Sequence, residues 1–323
     1  MTTTPPPPQA FVKAEDTEVD GGKAPGLGKP KERKLTRAEK RAIAVKGKIS
    51  SPWASGIALI IALLWTVPTF GLFVTSFRPA SDVRQSGWWT AFGNPNFTME
   101  NYSEVLFGGA SFSNYIINSL VITIPAVLIP ITLALLAAYA FAWIDFRGRD
   151  VLFVAVFALQ IVPIQITLIP LLSQYVDWGL NGSFWVVWLS HTIFALPLAV
   201  FLLHNFMKDI PPSLVEAARV DGAGHVKIFF QVLLPLLVPA IAAFAIFQFL
   251  WVWNDLLVAL VFSGGTADVA PLTVRLGELA GNRGETWHLL SSGAFVTIVV
   301  PLIVFLALQR YFVRGLLAGS VKG

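Results

Sequence analysis

Six apolar stretches dominate the chain, at roughly residues 53–76, 115–143, 151–173, 184–206, 236–262 and 291–312. Each can cross about 30 Å of hydrocarbon, which takes about 20 helical residues. In lipid there is no water to satisfy a backbone N–H or C=O, so a spanning segment must pair these groups internally. The runs therefore predict an all-α integral membrane protein with six transmembrane helices. Composition agrees, because 55% of the residues are hydrophobic and only 13% are charged, against about 25% charged in soluble domains. Pro68, Pro125, Pro130, Pro163, Pro170, Pro197 and Pro301 fall inside the runs. Buried spans tolerate proline where neighbours satisfy the freed carbonyls.

Ahead of the first span, residues 1–52 form a basic tail with 11 Lys/Arg against 6 Asp/Glu. Pro5–Pro8, Gly21-Gly22 and the run from Lys29 to Lys34 supply no apolar period to bury, so this tail is expected to be disordered. It reads either as a solvated arm or as a basic segment lying near anionic lipid. No apolar core follows within the distance of a cleaved signal peptide. Residues 53–323 then form one membrane domain. The net charge of +4 comes from the tail, which makes nucleic-acid binding a poor reading. The chain has no cysteine, excluding disulfides and thiolate metal sites.

Lys and Arg set the orientation. With the N-terminus inside, the inner segments carry 18 Lys/Arg and the outer segments 4. Both termini are then cytoplasmic. Trp88, Trp89, Trp178 and Trp287 lie on outer segments, and Trp185 and Trp188 near a span end, as interfacial belt residues do.

Between the fourth and fifth spans lies a polar island, residues 211–235. Pro211 and Pro212 stop what precedes it. Ser213 and Glu216 have capping-box spacing for a helix of about two turns. Ala217 and Ala218 give it a small face, and Gly222 and Gly224 are candidate terminators. Glu216-Ala217-Ala218, Gly222 and Leu234-Pro235 agree in identity and spacing with the loop called EAA. The stretch therefore resembles that loop in the permease subunits of bacterial ABC importers. In that family it is a cytoplasmic coupling helix that docks into an ATPase subunit. The resemblance thus implies ATPase coupling for Glu216, Ala217, Ala218, Asp221 and Gly222.

The likeness continues along the chain. Ser76-Phe77-Arg78-Pro79, Asn101-Tyr102, Asn118-Ser119-Leu120, Trp253-Asn254-Asp255 and Pro271-Leu272-Thr273 occur in family order, and Gln309-Arg310-Tyr311-Phe312 begins a similar ending. Together they are similar to the six-span permeases of carbohydrate importers. That resemblance implies type I importer architecture in a bacterial plasma or inner membrane, surrounded by lipid. It implies a second permease subunit, two ATPase subunits carrying ATP and Mg, an extracytoplasmic solute-binding protein and a carbohydrate solute. No cofactor is expected in this chain, and it is not expected to be an enzyme.

Polar residues at membrane depth are the candidates for the solute path. Asp255 is the one carboxylate within a span, and a charge there must face a cavity or a partner. With Asn254 it either lines the path or anchors a neighbouring helix. Trp251 shares the Asp255 face and Trp253 does not. Gln160, Gln165 and Gln248 line the path or act as interhelical glue. His191, His204, His225 and His288 lack metal-ligand spacing. The sequence has no phosphate-binding P-loop and no hydrolase motif. Alternative readings are a permease for another solute such as glycerol phosphate, an ion-coupled secondary transporter, and a membrane enzyme.

Overall fold

The computed structural model describes residues 52–109, 112–264, 266–281 and 284–320, with residues 310–320 described by backbone alone. The expected tail, apart from Pro52, lies outside the described residues. Two compact units are distinguished, Met1–Leu63 and Leu64–Gly323. Described residues of the first unit belong to helix α1 (Pro52–Ser76), which continues into the second.

Among the described residues there is helix and no strand. After α1 come the short α2 (Ala80–Gln85), a 3-10 turn at Trp88–Phe92 and α3 (Glu100–Phe107). Next are the long α4 (Ser113–Trp143), the pair α5 (Arg149–Ala158) and α6 (Ile164–Asp177), and α7 (Phe184–Lys208). A protruding α8 (Pro212–Val220) precedes α9 (His225–Trp253). The chain ends in α10 (Leu257–Phe262), α11 (Leu272–Ala280) and α12 (Trp287–Ser320).

Among the described residues, five helices are long and apolar enough to cross a membrane, or six if α5 and α6 count as one span. The third span is thus corrected. Instead of running unbroken over 151–173, it bends by 100° between Ile161 and Ile164. Pro163 lacks an N–H, and proline pushes the residue before it out of helical geometry. Val162 accordingly has extended backbone, φ −72 and ψ 118. The other internal prolines named above stay within continuous helices.

The fifth span is also corrected. It begins at His225 rather than 236, and it stops at Trp253 before a short break and α10. Residues Ile228–Leu233 form a π-helical turn just ahead of Pro235. In a regular helix the Pro235 ring would press on the carbonyl four residues earlier, and a widened turn relieves that clash. The last span is longer than expected, starting at Trp287.

Packing centres on α4 against α7. Ala126, Ala134 and Ala138 of α4 and Ala195 and Ala199 of α7 are all buried. Small residues allow the close backbone approach on which helix association in lipid depends. Buried polar groups then tie the elements together. Arg78 is only 3% exposed. Its guanidinium donates to the carbonyls of Asp82 and Ser86 and to the hydroxyls of Ser86 and Thr90. Asn101 Nδ2 donates to the carbonyls of Ser76 and Arg78, and the Ser76 and Tyr102 hydroxyls lie 2.8 Å apart. Asn118 Nδ2 donates to the carbonyls of Ala267 and Ala270, while Ser119 Oγ accepts from Leu272 N. Trp88 lies across Gly71 so closely that a Cβ there would stand 2.5 Å from its indole nitrogen.

Candidate functional site

Two regions stand out. The first is α8. Pro211 precedes it with φ −57 and ψ 128, and Pro212 occupies its first turn. Proline is suited to that position, because its missing N–H is unneeded there and its φ is already helical. Ser213 is consequently inside the helix, and no side chain caps the N-terminus. The expected Ser213–Glu216 capping box is therefore corrected. Gly222, by contrast, ends the helix as expected, with φ +78. Gly222 N donates to Arg219 O and Ala223 N to Ala218 O, both at 2.9 Å. This is the paired closure of a Schellman motif, which needs a residue tolerant of positive φ. Gly224 is the other correction, for it has φ −77 and ψ 173 and starts α9.

Val215 points from α8 into the core at 2% exposure. Glu216, Ala217 and Asp221 are exposed, and Ala218 is half-buried against the core. Leu214 is exposed, as is Val220 at 87%. Together Leu214, Ala217 and Val220 form an apolar strip beside Glu216, at three-residue helical spacing. Exposed apolar residues grouped on one helix face and rimmed by polar ones suit a protein contact. The sequence reading missed Leu214 and Val220. Their spacing within an otherwise polar island was the available signal.

The second region surrounds the break after α9. Asn254 closes α9, and its Nδ2 donates to Leu250 O at 2.7 Å. Asp255 then opens the next turn. Its carboxylate accepts from Val258 N at 3.3 Å and Ala259 N at 2.9 Å. These are donors that a helix start leaves unpaired. Thr273 Oγ1 donates to Asp255 O at 2.6 Å, fastening α11 to the break. His191 of α7 brings Nε2 to 3.7 Å from Asp255 Oδ2. Trp251 meets the His191 ring edge to face with centroids 5.6 Å apart. Trp251 and Asp255 thus share a face, while Trp253 turns away and donates to Thr297 O. The pairing of His191 with Asp255 was invisible in sequence, since nothing linear joins positions in different spans.

The remaining glutamines separate. Gln248 is buried and donates to Ala126 O at 3.2 Å, an interhelical bond. Gln160 lines a cavity of about 560 Å³ at the bend between α5 and α6. Thr167, Gln174, Phe194 and Pro197 are among its other walls, and no charged side chain lines it. Gln165 is exposed and lies outside that lining. Both interrupted spans meet α7, the bend at Ile193–Pro197 and the α9 break at His191. Trp188, expected in the interfacial belt, donates its indole N–H to Val121 O and so joins α7 to α4. Among the described residues no group of His, Cys, Asp and Glu could hold a metal ion.

Residues 130–317 match the family described as "Binding-protein-dependent transport system inner membrane component". The chain is 55% identical over 268 residues to the osmoprotective compounds uptake permease protein GgtD of Synechocystis sp., covering 82% of this chain and 90% of that one. It is 51% identical over 259 residues to the alpha-glucoside transport system permease protein AglG of Rhizobium meliloti, covering 77% and 68%. To the melibiose/raffinose/stachyose import permease protein MelC of Bacillus subtilis it is 33% identical, covering 83% and 95%. Its fold is similar to that of a chain in the crystal structure of a bacterial ABC transporter that imports the acidic polysaccharide alginate. The TM-score is 0.69 at 22% identity, covering 86% of this chain and 99% of that one.

Proposed function

The chain belongs to the family of binding-protein-dependent transport system inner membrane components, and from that premise we propose that it is a permease subunit of an ATP-driven carbohydrate importer. The observation that carries this reading is α8, a short helix closed at Gly222 that turns Glu216 and an apolar strip away from the core. Such a surface suits an ATPase subunit docking beside the membrane. Nucleotide binding there would move α8, and rigid-body motion of the spans would switch access. ATP hydrolysis belongs to those separate subunits. A second permease subunit and an extracytoplasmic binding protein complete the assembly, and both termini of this chain face the cytoplasm.

The solute is read from chemistry and from relatives. AglG and MelC are named for alpha-glucosides and for melibiose, raffinose and stachyose, all neutral sugars. The cavity at the bend is mostly aliphatic, with the amides of Gln160 and Gln174, the Thr167 hydroxyl and the Phe194 ring among its walls and no charged side chain. That lining offers a few uncharged hydrogen-bonding groups and no partner for an ionised one, which suits a neutral solute. Glycerol phosphate is disfavoured, since a phosphate wants a cationic or strongly donating partner. Asn254, Asp255, Gln160 and Gln165 are assigned to the solute path on this reading.

The test is reconstitution of the complete transporter in liposomes, offering neutral glucosides and glycerol phosphate in parallel. ATP-dependent uptake of a neutral glycoside is expected. Uptake driven by an ion gradient without ATP overturns the reading.

A further inference from the structure

Tyr139 and His225 are far apart in sequence, yet the Tyr139 hydroxyl lies 2.7 Å from His225 Nδ1. Tyr139 sits in the last turns of α4 and is 7% exposed. Its ring meets His225 edge to face at 6.0 Å and Phe229 at 5.4 Å. His225 is the first residue of α9, and only Ala223 and Gly224 separate it from the Gly222 that closes α8. The hydrogen bond therefore joins the base of the protruding helix to α4, the helix most extensively packed on α7.

Other routes out of α8 are softer. Val215 inserts into the same core as Tyr139, but apolar packing is non-directional and lets a side chain slide. Among the described residues, no α8 side chain hydrogen-bonds to a spanning helix. The π-helical turn at Ile228–Leu233 begins three residues after His225. Such a turn departs from regular helical hydrogen bonding, which makes it the place where the His225 end and the rest of α9 can part, although Ile228, Phe229 and Leu233 are buried in the core. A directional hydrogen bond ahead of that turn fixes where a swing of the His225 end is felt.

We propose that the Tyr139–His225 hydrogen bond is the latch that passes displacement of α8 to α4, making Tyr139 a positioning residue for energy coupling. The inference rests on the reading of the chain as an ATP-driven permease. Without the latch, motion of α8 is taken up in the π turn, and nucleotide is hydrolysed with less movement of the spans.

The experiment uses the complete transporter in liposomes and the variant Tyr139→Phe, which keeps the ring and removes only the hydroxyl. A net hydrogen bond is worth about 1 kcal/mol, or roughly fivefold in an equilibrium. Solute molecules moved per ATP should fall about fivefold, with ATPase-subunit binding and hydrolysis retained. A loss of fold or assembly lowers both activities together and leaves the ratio alone. His225→Phe is the second variant; it keeps an aromatic ring and removes Nδ1, and the same fall is expected. A wild-type ratio in both variants, with ATP hydrolysis also at the wild-type level, overturns the latch.

A readout without solute keeps the two hypotheses apart. The chain has no cysteine, so Leu136→Cys on the outward-facing side of α4 can carry a spin label whose mobility with and without ATP reports α4 motion. The ATP-induced change should shrink about fivefold when Tyr139→Phe is added. An unchanged response overturns the latch even where uptake of every offered carbohydrate fails. Failure of uptake with a shrunken response counts against the solute reading alone.

Discussion

His191 Nε2 stands 3.7 Å from Asp255 Oδ2, which sets the first half of α7 beside the break that follows α9. The same carboxylate accepts the N–H groups of Val258 and Ala259, so Asp255 organises the break as well as facing His191. Replacing an N-terminal cap by alanine costs about 1 kcal/mol. Asp255→Ala should lower thermal stability by that order, whereas Asp255→Asn keeps one acceptor oxygen and should unfold near the wild-type temperature. Uptake by the Asn variant should still slow if the charge serves the solute path. Thermal denaturation and initial uptake rates, measured on both variants, separate the roles. An Asn variant with normal uptake leaves Asp255 as a structural anchor only.

Glu216→Lys should abolish uptake while the chain still inserts and folds. No capping hydrogen bond depends on Glu216, since Pro211 and Pro212 form the N-terminus of α8 without a side-chain cap. The reversal therefore probes the docking surface with little cost in helix closure. Glu216→Gln should be milder. Co-purification of the ATPase subunits is the measurement, and full retention with Glu216→Lys argues against docking through this face.

Gly222→Ala tests the closure of α8. A Cβ at Gly222 meets no atom within 4 Å, but φ is +78. The cost is therefore backbone strain, about 1–2 kcal/mol for a residue held in the left-handed region. Amide hydrogen exchange at residues 218–223 should speed up, with Gly222→Asn intermediate. Equal exchange in all three proteins would mean that the Schellman closure is not what holds α8.

Topology is tested by single cysteines in this cysteine-free chain. Ser81→Cys on α2 and Ser213→Cys on α8 replace exposed residues. An impermeant thiol reagent added outside should label position 81 and spare 213. The reverse pattern inverts the assignment of the ends.

Asn101→Ala should destabilise more than its size suggests. It removes the donor to two carbonyls, those of Ser76 and Arg78, in a buried setting. A buried polar group left without a partner costs about 1–3 kcal/mol. A drop in unfolding temperature is expected, and a neutral result would show that water replaces the amide there.

Much of this protein is legible along the chain. Spans follow from apolar length, because lipid demands internally satisfied backbone over about 20 residues. The end of α8 at Gly222 was readable because positive φ selects glycine locally. The capping box was misread because Pro212 took the first helical position, a competition between two local signals for one site. The third span was misread because a proline inside an apolar run either bends the chain or is absorbed. Pro125 and Pro130 are absorbed within α4, whereas Pro163 breaks its helix.

What linear order could not supply is pairing. The short motifs, each weak alone, turn out to be halves of contacts. Ser76-Phe77-Arg78-Pro79 is held by Asn101-Tyr102, Asn118-Ser119 by the turn before Leu272, and Asp255 by Thr273. His191 with Asp255 and Tyr139 with His225 belong to the same class. The sequence by itself determined the helices, their apolar reach and the polar island between them, since these depend on neighbours within a turn or two. Only the tertiary structure decided which buried polar group meets which. A donor in lipid or core must find an acceptor, and folding alone brings that acceptor from a distant helix.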